Sequence, residues 1–286
     1  GAQRDQTTQG GRVNGMTDQP TAQAGFTHGQ KVRIIASVLS CSFLGAMDHS
    51  IIAPALPAIG VEAGASSALS WVVTAYLLAS TVGIPVFGKL ADTIGRRSTL
   101  LIVVGGFVVG SVACALSPNL IFLIAARALQ GLFGGALQAL AHIVIADVVT
   151  PKERGRYQGY ITSMFVTAGF LGPILGGFLS EYSDWRMIFW INLPLGVAAM
   201  AVSGSMLRRL PAHSHRARMD IAGLVLLCAG TVPAVVALSI GGVEIPWFSK
   251  EVGGLFLAAL VLWGLFTWRI LTTAEPFIAP AVLATP

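Results

Sequence analysis

The sequence is short of charge. Only 11% of its 286 residues are Asp, Glu, Lys or Arg, where a soluble domain carries about a quarter. With 54% hydrophobic residues and a mean hydropathy of +0.74, that deficit excludes an ordinary soluble domain. The apolar runs do not alternate in short segments, which excludes a transmembrane β-barrel. Cysteine is scarce: Cys41, Cys114 and Cys228 are odd in number and lie far apart inside apolar runs, so they form neither a disulfide framework nor a metal site. The sequence has no zinc-ligand cluster, no catalytic triad and no phosphate-binding Gly-Lys-Ser/Thr loop. These absences argue against an enzyme, a cofactor and an ATP-driven pump, and leave an ion gradient as the energy source. A cleavable signal peptide is not expected, because the first apolar run starts after about thirty residues and is too long.

What is present is a series of about eight apolar runs of spanning length. They cover roughly Val32–Ile59, Leu69–Leu90, Thr99–Leu116, Leu120–Ala146, Tyr157–Ser180, Ile188–Leu207, Ile221–Ile240 and Val252–Leu271. The net charge of +5 does not point to nucleic acid, because the cations fall in loops, where they set membrane orientation. Lys31 and Arg33 precede the first span, and Lys89, Arg96 and Arg97 follow the second. Lys152, Arg154 and Arg156 follow the fourth, and Arg208, Arg209, Arg216 and Arg218 follow the sixth. The alternate loops Val61–Ser67, Ser117–Asn119 and Glu181–Trp185 carry no Lys or Arg, with Arg186 at the edge of the last. This bias predicts a multi-pass protein of the cell membrane with its N-terminus in the cytoplasm.

Two charges interrupt the apolar runs: Asp48 in the first span and Arg127 in the fourth. A cation at that depth costs about 2.5–3.5 kcal/mol on insertion scales, so it needs a partner or a water-filled cavity. By helical rise, Arg127 lies roughly 10 Å below the Leu120 end and Asp48 roughly 13 Å below the Pro57 end, at similar depths if those ends share a side. The first six spans also read as two triplets. The first span of each carries the buried charge and the second a proline, Pro85 or Pro173, as in the internal repeats of secondary transporters.

Several stretches share a pattern in order and spacing. They are Met47-Asp48-His49-Ser50-Ile51-Ile52-Ala53-Pro54-Ala55-Leu56-Pro57, Gly88-Lys89-Leu90-Ala91-Asp92-Thr93-Ile94-Gly95-Arg96-Arg97, Arg127-Ala128-Leu129-Gln130-Gly131, and Gly169-Phe170-Leu171-Gly172-Pro173-Ile174-Leu175-Gly176-Gly177. Trp185-Arg186-Met187-Ile188-Phe189-Trp190-Ile191-Asn192-Leu193-Pro194 and Asp220-Ile221-Ala222-Gly223 follow them. Together they resemble the major facilitator superfamily, specifically its fourteen-span drug:proton antiporter family. Thr93 departs from that pattern, standing where a basic residue is usual; Pro54 and His49 depart from it too.

The resemblance implies an all-α polytopic membrane fold: an N-terminal six-helix bundle of 3+3 repeats plus two linker helices. Residues 1–30, rich in Gln, Thr and Gly, read from composition as a polar, disordered tail, and the resemblance implies the bundle over 31–210, a cytoplasmic loop and two linker spans over 211–275, and a truncated approach to a missing C-terminal half over 276–286. It further implies a proton-coupled antiporter that exports drugs or other small amphipathic or cationic compounds by alternating access. The partners are then a small-molecule substrate, protons, the lipid bilayer and the C-terminal half of the same protein. Alternatives are a narrow-substrate metabolite or antibiotic exporter and a non-transporting membrane sensor or scaffold.

Within that frame Asp48 and Arg127 are the proton-coupling candidates. A carboxylate moving between dry and cation-paired surroundings can take up and release a proton; a permanent pair that staples two spans is the other reading. Gly88, Asp92, Gly95, Arg96 and Arg97 are expected to form a short cytoplasmic turn that acts as a gating latch, or merely anchors the chain to lipid. Asp147, Glu153, Arg154 and Arg156 are candidates to complete a charge network there. Gly169, Gly172, Pro173, Gly176 and Gly177 form the antiporter helix, by close packing of small residues. Gln130, Gln138 and Asn192, with Trp71, Tyr76 and Phe165, are candidate cavity-lining residues, and His49 and His142 are candidate relay or packing groups.

Overall fold

The computed structural model describes residues 27–64, 68–206, 220–242 and 244–273. Nine helices are built from them: α1 (His28–Ala63), α2 (Ser70–Ile94), α3 (Arg96–Ala115), α4 (Leu120–Val148), α5 (Arg154–Tyr182), the short α6 (Met187–Trp190), α7 (Asn192–Met206), α8 (Ile221–Ile240) and α9 (Lys250–Thr272). Eight segments are long and apolar enough to cross a membrane, with α6 and α7 together making one of them. The break at Ile191 has a local cause: Pro194 has no N–H to donate to the carbonyl four residues earlier. Most of the tail, residues 211–219 of the cytoplasmic loop with the arginines at 208, 209, 216 and 218, and the segment 276–286 lie outside the described residues.

Two sequence-based boundaries move. Residues 28–30, expected in the tail, are helical, because Thr27 and Gln30 form a reciprocal capping box that starts α1 early. The stretch Gly88–Arg97, expected to be a turn, is mostly helix. Gly88 and Asp92 lie in α2, Arg96 and Arg97 open α3, and the turn is Gly95 alone, at φ 91°. A left-handed backbone there reverses the chain in one step, which glycine permits.

Helix packing follows the small residues. The α2–α4 contact is close because Gly131, Gly134 and Gly135 of α4 lie against Tyr76 and Ser80 of α2, while Gly83 of α2 lies against the Leu132 carbonyl. The α1–α5 contact is close because Gly172 and Gly176 meet Ser50 and Ile51. Small residues allow backbones to approach where no hydrophobic effect drives helices together. Interfaces also form between α3 and α4, α1 and the α6–α7 segment, α3 and that segment, and α1 and α4. Exchanging α1 with α4, α2 with α5, and α3 with α6–α7 carries each of these six interfaces into another of them or into itself. The α8–α9 pair stands outside that pattern. It packs on itself and, through α8, on α2, and it is pinned by Asp220, which caps α8 through Gly223 N–H and pairs with Arg269 at 2.8 Å.

One ionic contact fastens the start of the bundle. Lys31 Nζ lies 2.9 Å from Glu153 Oε2, which also accepts from the Thr150 N–H and hydroxyl, each at 3.0 Å. The Lys31 hydrogen bond, then those from Thr150, lower the Glu153 carboxyl to about 2. Since the folded value is depressed, this contact contributes above the ordinary value of 4.5 and is lost as pH falls through about 2. Glu153→Gln should speed hydrogen exchange in the first turn of α1 at neutral pH, and the wild type should converge on the variant in acid. Identical exchange at neutral pH would contradict this role. For the helix contacts, Gly135→Val should lower the thermal midpoint of the purified protein by several degrees, through overpacking worth about 1–3 kcal/mol. Gly105→Ala, where a Cβ meets open space, should leave that midpoint nearly unchanged.

Candidate functional site

The apolar bundle closes around one polar cluster. Asp48 on α1 and Arg127 on α4 are both fully buried, and Arg127 Nη1 lies 2.7 Å from Asp48 Oδ2. The similar depths of the two charges along α1 and α4 thus bring them into direct contact. Asp48 Oδ1 accepts from Asn192 Nδ2 at 2.6 Å and from Gln130 Nε2 at 2.9 Å. Gln130 in turn accepts from Arg127 Nη1 at 2.8 Å. Asn192 also donates to Ser111 Oγ at 2.9 Å, and that hydroxyl donates to the Phe189 carbonyl. Arg127 donates to the Val72 carbonyl, and its guanidinium carbon sits 4.2 Å from the centroid of the Tyr76 ring, a cation–π contact in a dry site. Six helices, α1 to α4, α6 and α7, therefore supply this one cluster.

Its donors and acceptors are unevenly matched. Three donors face the Asp48 carboxylate, those of Arg127, Gln130 and Asn192. Within this cluster two buried atoms have no hydrogen-bond partner, Arg127 Nη2 and Asn192 Oδ1. Buried polar groups are almost always paired, so this spare donor and spare acceptor beside the Asp48 carboxylate set the cluster apart from the rest of the core.

The other candidates separate. Gln130 and Asn192, expected to line a cavity, are fully buried against Asp48 instead. Each lies on the face of its helix that turns toward α1. Tyr76 is likewise buried against Arg127 rather than open to a cavity. Gln138 is half-buried and donates to the Ser42 carbonyl at 3.1 Å, and Phe165 is exposed. His49 lies on the exposed face of α1 and stacks on Tyr76 at 5.8 Å; His142 contacts the Gln138 carbonyl of its own helix. On α5 only Gly172 and Gly176, four residues apart, share the contact face. Gly169 and Gly177 turn aside into open space, and Pro173 is exposed within a continuous helix.

At the end of the bundle that holds the α1 N-terminus, Arg96 pairs with Asp92 and, at 2.9 Å, with Asp147. Arg97 points elsewhere, donating to the Gly204 carbonyl in the last turn of α7 at 3.2 Å. Gly88 of α2 faces Ile143 of α4 with room to spare, since a Cβ there would come no nearer than 3.9 Å to the Ile143 side chain. Of the expected charge network, Asp147 joins Asp92 and Arg96 while Glu153 pairs with Lys31.

A cluster at the opposite end escaped the sequence reading. Glu62, at the end of α1, accepts from both Arg186 Nη atoms at 2.8 and 3.0 Å and from Trp185 Nε1 at 2.6 Å. Arg186 stacks 4.3 Å above the Trp185 ring and reaches the Ser117 carbonyl. These residues border a cavity of about 180 Å³. The available signal was that Glu62 is the one charge in the 61–67 loop and Arg186 the one cation beside the 181–185 loop, two loops expected on the same side. Among the described residues no group of three or more His, Cys, Asp or Glu is placed to hold a metal ion.

The sequence model of the Major Facilitator Superfamily matches residues 38–283. An uncharacterized MFS-type transporter of Mycobacterium tuberculosis is 38% identical over 243 residues, covering 85% of this chain and 35% of that protein. Efflux pump FUS6 of Gibberella fujikuroi is 37% identical, covering 82% of this chain and 44% of its own length. The multidrug transporter protein MdtP of Bacillus subtilis is 35% identical, covering 81% and 43%. The chain thus spans between about a third and under half the length of these relatives. Among solved structures, the human organic anion transporter MFSD10 and the POT family transporter PepTSo each share the fold at a TM-score of 0.55, with 17% and 19% identity. They cover 78% and 85% of this chain, and 59% and 52% of their own.

The buried pair makes a stability prediction. Asp48→Ala leaves Arg127 unpaired in the bundle and should destabilise by about 3–5 kcal/mol, while Asp48→Asn, which keeps the shape, should cost less. The double variant Asp48→Ala/Arg127→Met should recover much of the loss. Thermal midpoints of the wild type, Asp48→Ala, Arg127→Met and the double variant, read as a double-mutant cycle, check this; additive losses would mean the two side chains are not coupled.

Proposed function

The chain belongs to the major facilitator superfamily, a family of membrane transporters rather than enzymes, and from that premise we propose that it forms the N-terminal part of a proton-coupled antiporter. The cargo in this reading is a drug or another small amphipathic or cationic compound, exported by alternating access. The observation that carries it is the Asp48 carboxylate, buried, paired with Arg127 and faced by three donors. Ionisable groups at such depth in a membrane are rare and mark pathways and proton relays.

The chemistry is a switch between two hydrogen-bonding patterns. Ionised Asp48 takes the three donors and holds α1, α4 and α7 together. Protonation removes the charge that Arg127 neutralises and adds a hydroxyl donor, which needs an acceptor. Asn192 Oδ1 is the unpartnered acceptor in the cluster, and rotation of its amide presents it to that donor. One proton thereby changes which helices are tied together, as coupling a proton to a bundle movement requires. In the proposed orientation the N-terminus is cytoplasmic, Asp92, Arg96 and Asp147 form a latch that closes the cytoplasmic side, and Glu62 with Arg186 lies outside. Pairwise exchange among the helix interfaces supports a 3+3 repeat, with α8 and α9 as linker helices. The Gly172–Gly176 contact of α5 with α1 serves as the leak-tight seam of an antiporter helix.

The relatives' names favour efflux, one of them being named a multidrug transporter. The test uses the full-length protein that contains this chain, in inside-out vesicles under an imposed proton gradient. Gradient-driven efflux of cationic dyes should be present in the wild type and lost in Asp48→Asn that still inserts and melts normally. Unchanged efflux in that variant would remove Asp48 from coupling. Transport restricted to one compound would favour the narrow-substrate exporter, and none at all the sensor or scaffold.

A further inference from the structure

A lateral groove of about 430 Å³ runs between α1, α5 and α7, floored by Phe43 and Leu44 and flanked by Met164, Leu195, Ala198 and Val202. Its edges are open: Ala198 and Val202 are exposed. The one hydroxyl on the wall, that of Ser40, is already committed to the Ala36 carbonyl at 2.9 Å. A water needs roughly two to four polar partners, so this groove suits an apolar occupant. It lies within the spanning segments of all three helices.

The end nearer the helix starts is different. On α1, Arg33 precedes Ser40 by seven residues and lies on the same face, roughly 10 Å along the axis. On α5, Arg156 and Tyr160 precede Met164 by eight and four residues, again on one face, with Arg156 roughly 12 Å away. The α1 and α5 starts share an end of the bundle, since Lys31 pairs with Glu153 there. Arg33, Arg156 and Tyr160 are all exposed. Arg156 donates to the Tyr160 hydroxyl at 3.3 Å, and neither arginine forms an ion pair among the described residues. The acids nearby are taken: Glu153 by Lys31 and Asp147 by Arg96. Helical side chains lean toward the N-terminus, which carries both guanidinium groups outward to the headgroup level.

We propose that the α1–α5–α7 groove, with Arg33, Arg156 and Tyr160 at its mouth, is a binding site for one anionic phospholipid of the leaflet on the side of the α1 N-terminus. One acyl chain lies along Phe43, Met164 and Ala198, and the phosphate sits between the two arginines, with the tyrosine hydroxyl as a further donor. Basic clusters between helix ends on an apolar crevice are what anionic headgroups recognise, and arginine suits phosphate by its forked donors. This inference does not depend on proton coupling, so it stands or falls separately from the transport reading.

The test is native mass spectrometry of the full-length protein released from nanodiscs holding equal phosphatidylglycerol and phosphatidylcholine of identical chains. The wild type should retain phosphatidylglycerol preferentially. Arg33→Gln/Arg156→Gln should lower that preference about twenty-five-fold, at roughly fivefold per arginine, and Arg33→Lys/Arg156→Lys should keep most of it. Ala198→Trp, which fills the groove from its lipid-facing edge, should lower retention of both lipids with the thermal midpoint unchanged. A preference that survives the double glutamine variant overturns the proposal. So does a loss seen only with Ala198→Trp, which would mean an apolar occupant chosen without regard to its head.

Discussion

A guanidinium and a carboxylate held 2.7 Å apart with no solvent contact set the terms for the rest of this bundle. Neither charge is tolerable alone at that depth, and a pair alone is still poorly satisfied in a low-dielectric interior. The surrounding helices therefore bring amides, a hydroxyl, a carbonyl and an aromatic face to the same point. Because those groups come from six helices, their relative placement is fixed by the need to meet. The glycine contacts between α2 and α4, and between α1 and α5, are the steric counterpart. They bring backbones near enough for short polar side chains to reach across.

Much of this arrangement was legible beforehand because a membrane makes charge conspicuous. Asp48 and Arg127 were single charges in apolar runs, and a constant helical rise converts sequence position into depth. The eight spans followed from length and composition alone, and the capping residues Thr27 and Asn119 now explain where two of them begin.

What was less legible depended on rotation about helix axes. Gln130 and Asn192 were recognised as polar groups in spans, but an amide on a uniformly apolar helix carries no sign of the face it presents. Only the position of α1 decides that both turn inward to Asp48. The same ambiguity spread the α5 glycines over one surface, when Gly172 and Gly176 do the packing and Gly169 and Gly177 do not. Glu62 and Arg186 lie 124 positions apart and meet only because the helix ends between them are brought together. Gly95 was expected within a longer turn, since the ability of one left-handed residue to join two long helices is set by their crossing geometry.

The ion pairs lie at three levels. Lys31–Glu153 and Asp92–Arg96–Asp147 bind one end, Asp48–Arg127 the middle, and Glu62–Arg186 the other end. A bundle clamped only at its centre would splay, and one clamped only at its ends would bow. Fastened at all three, the helices are tied across about 30 Å, the thickness of a bilayer's apolar core, so the loss of any one level leaves them held at the other two.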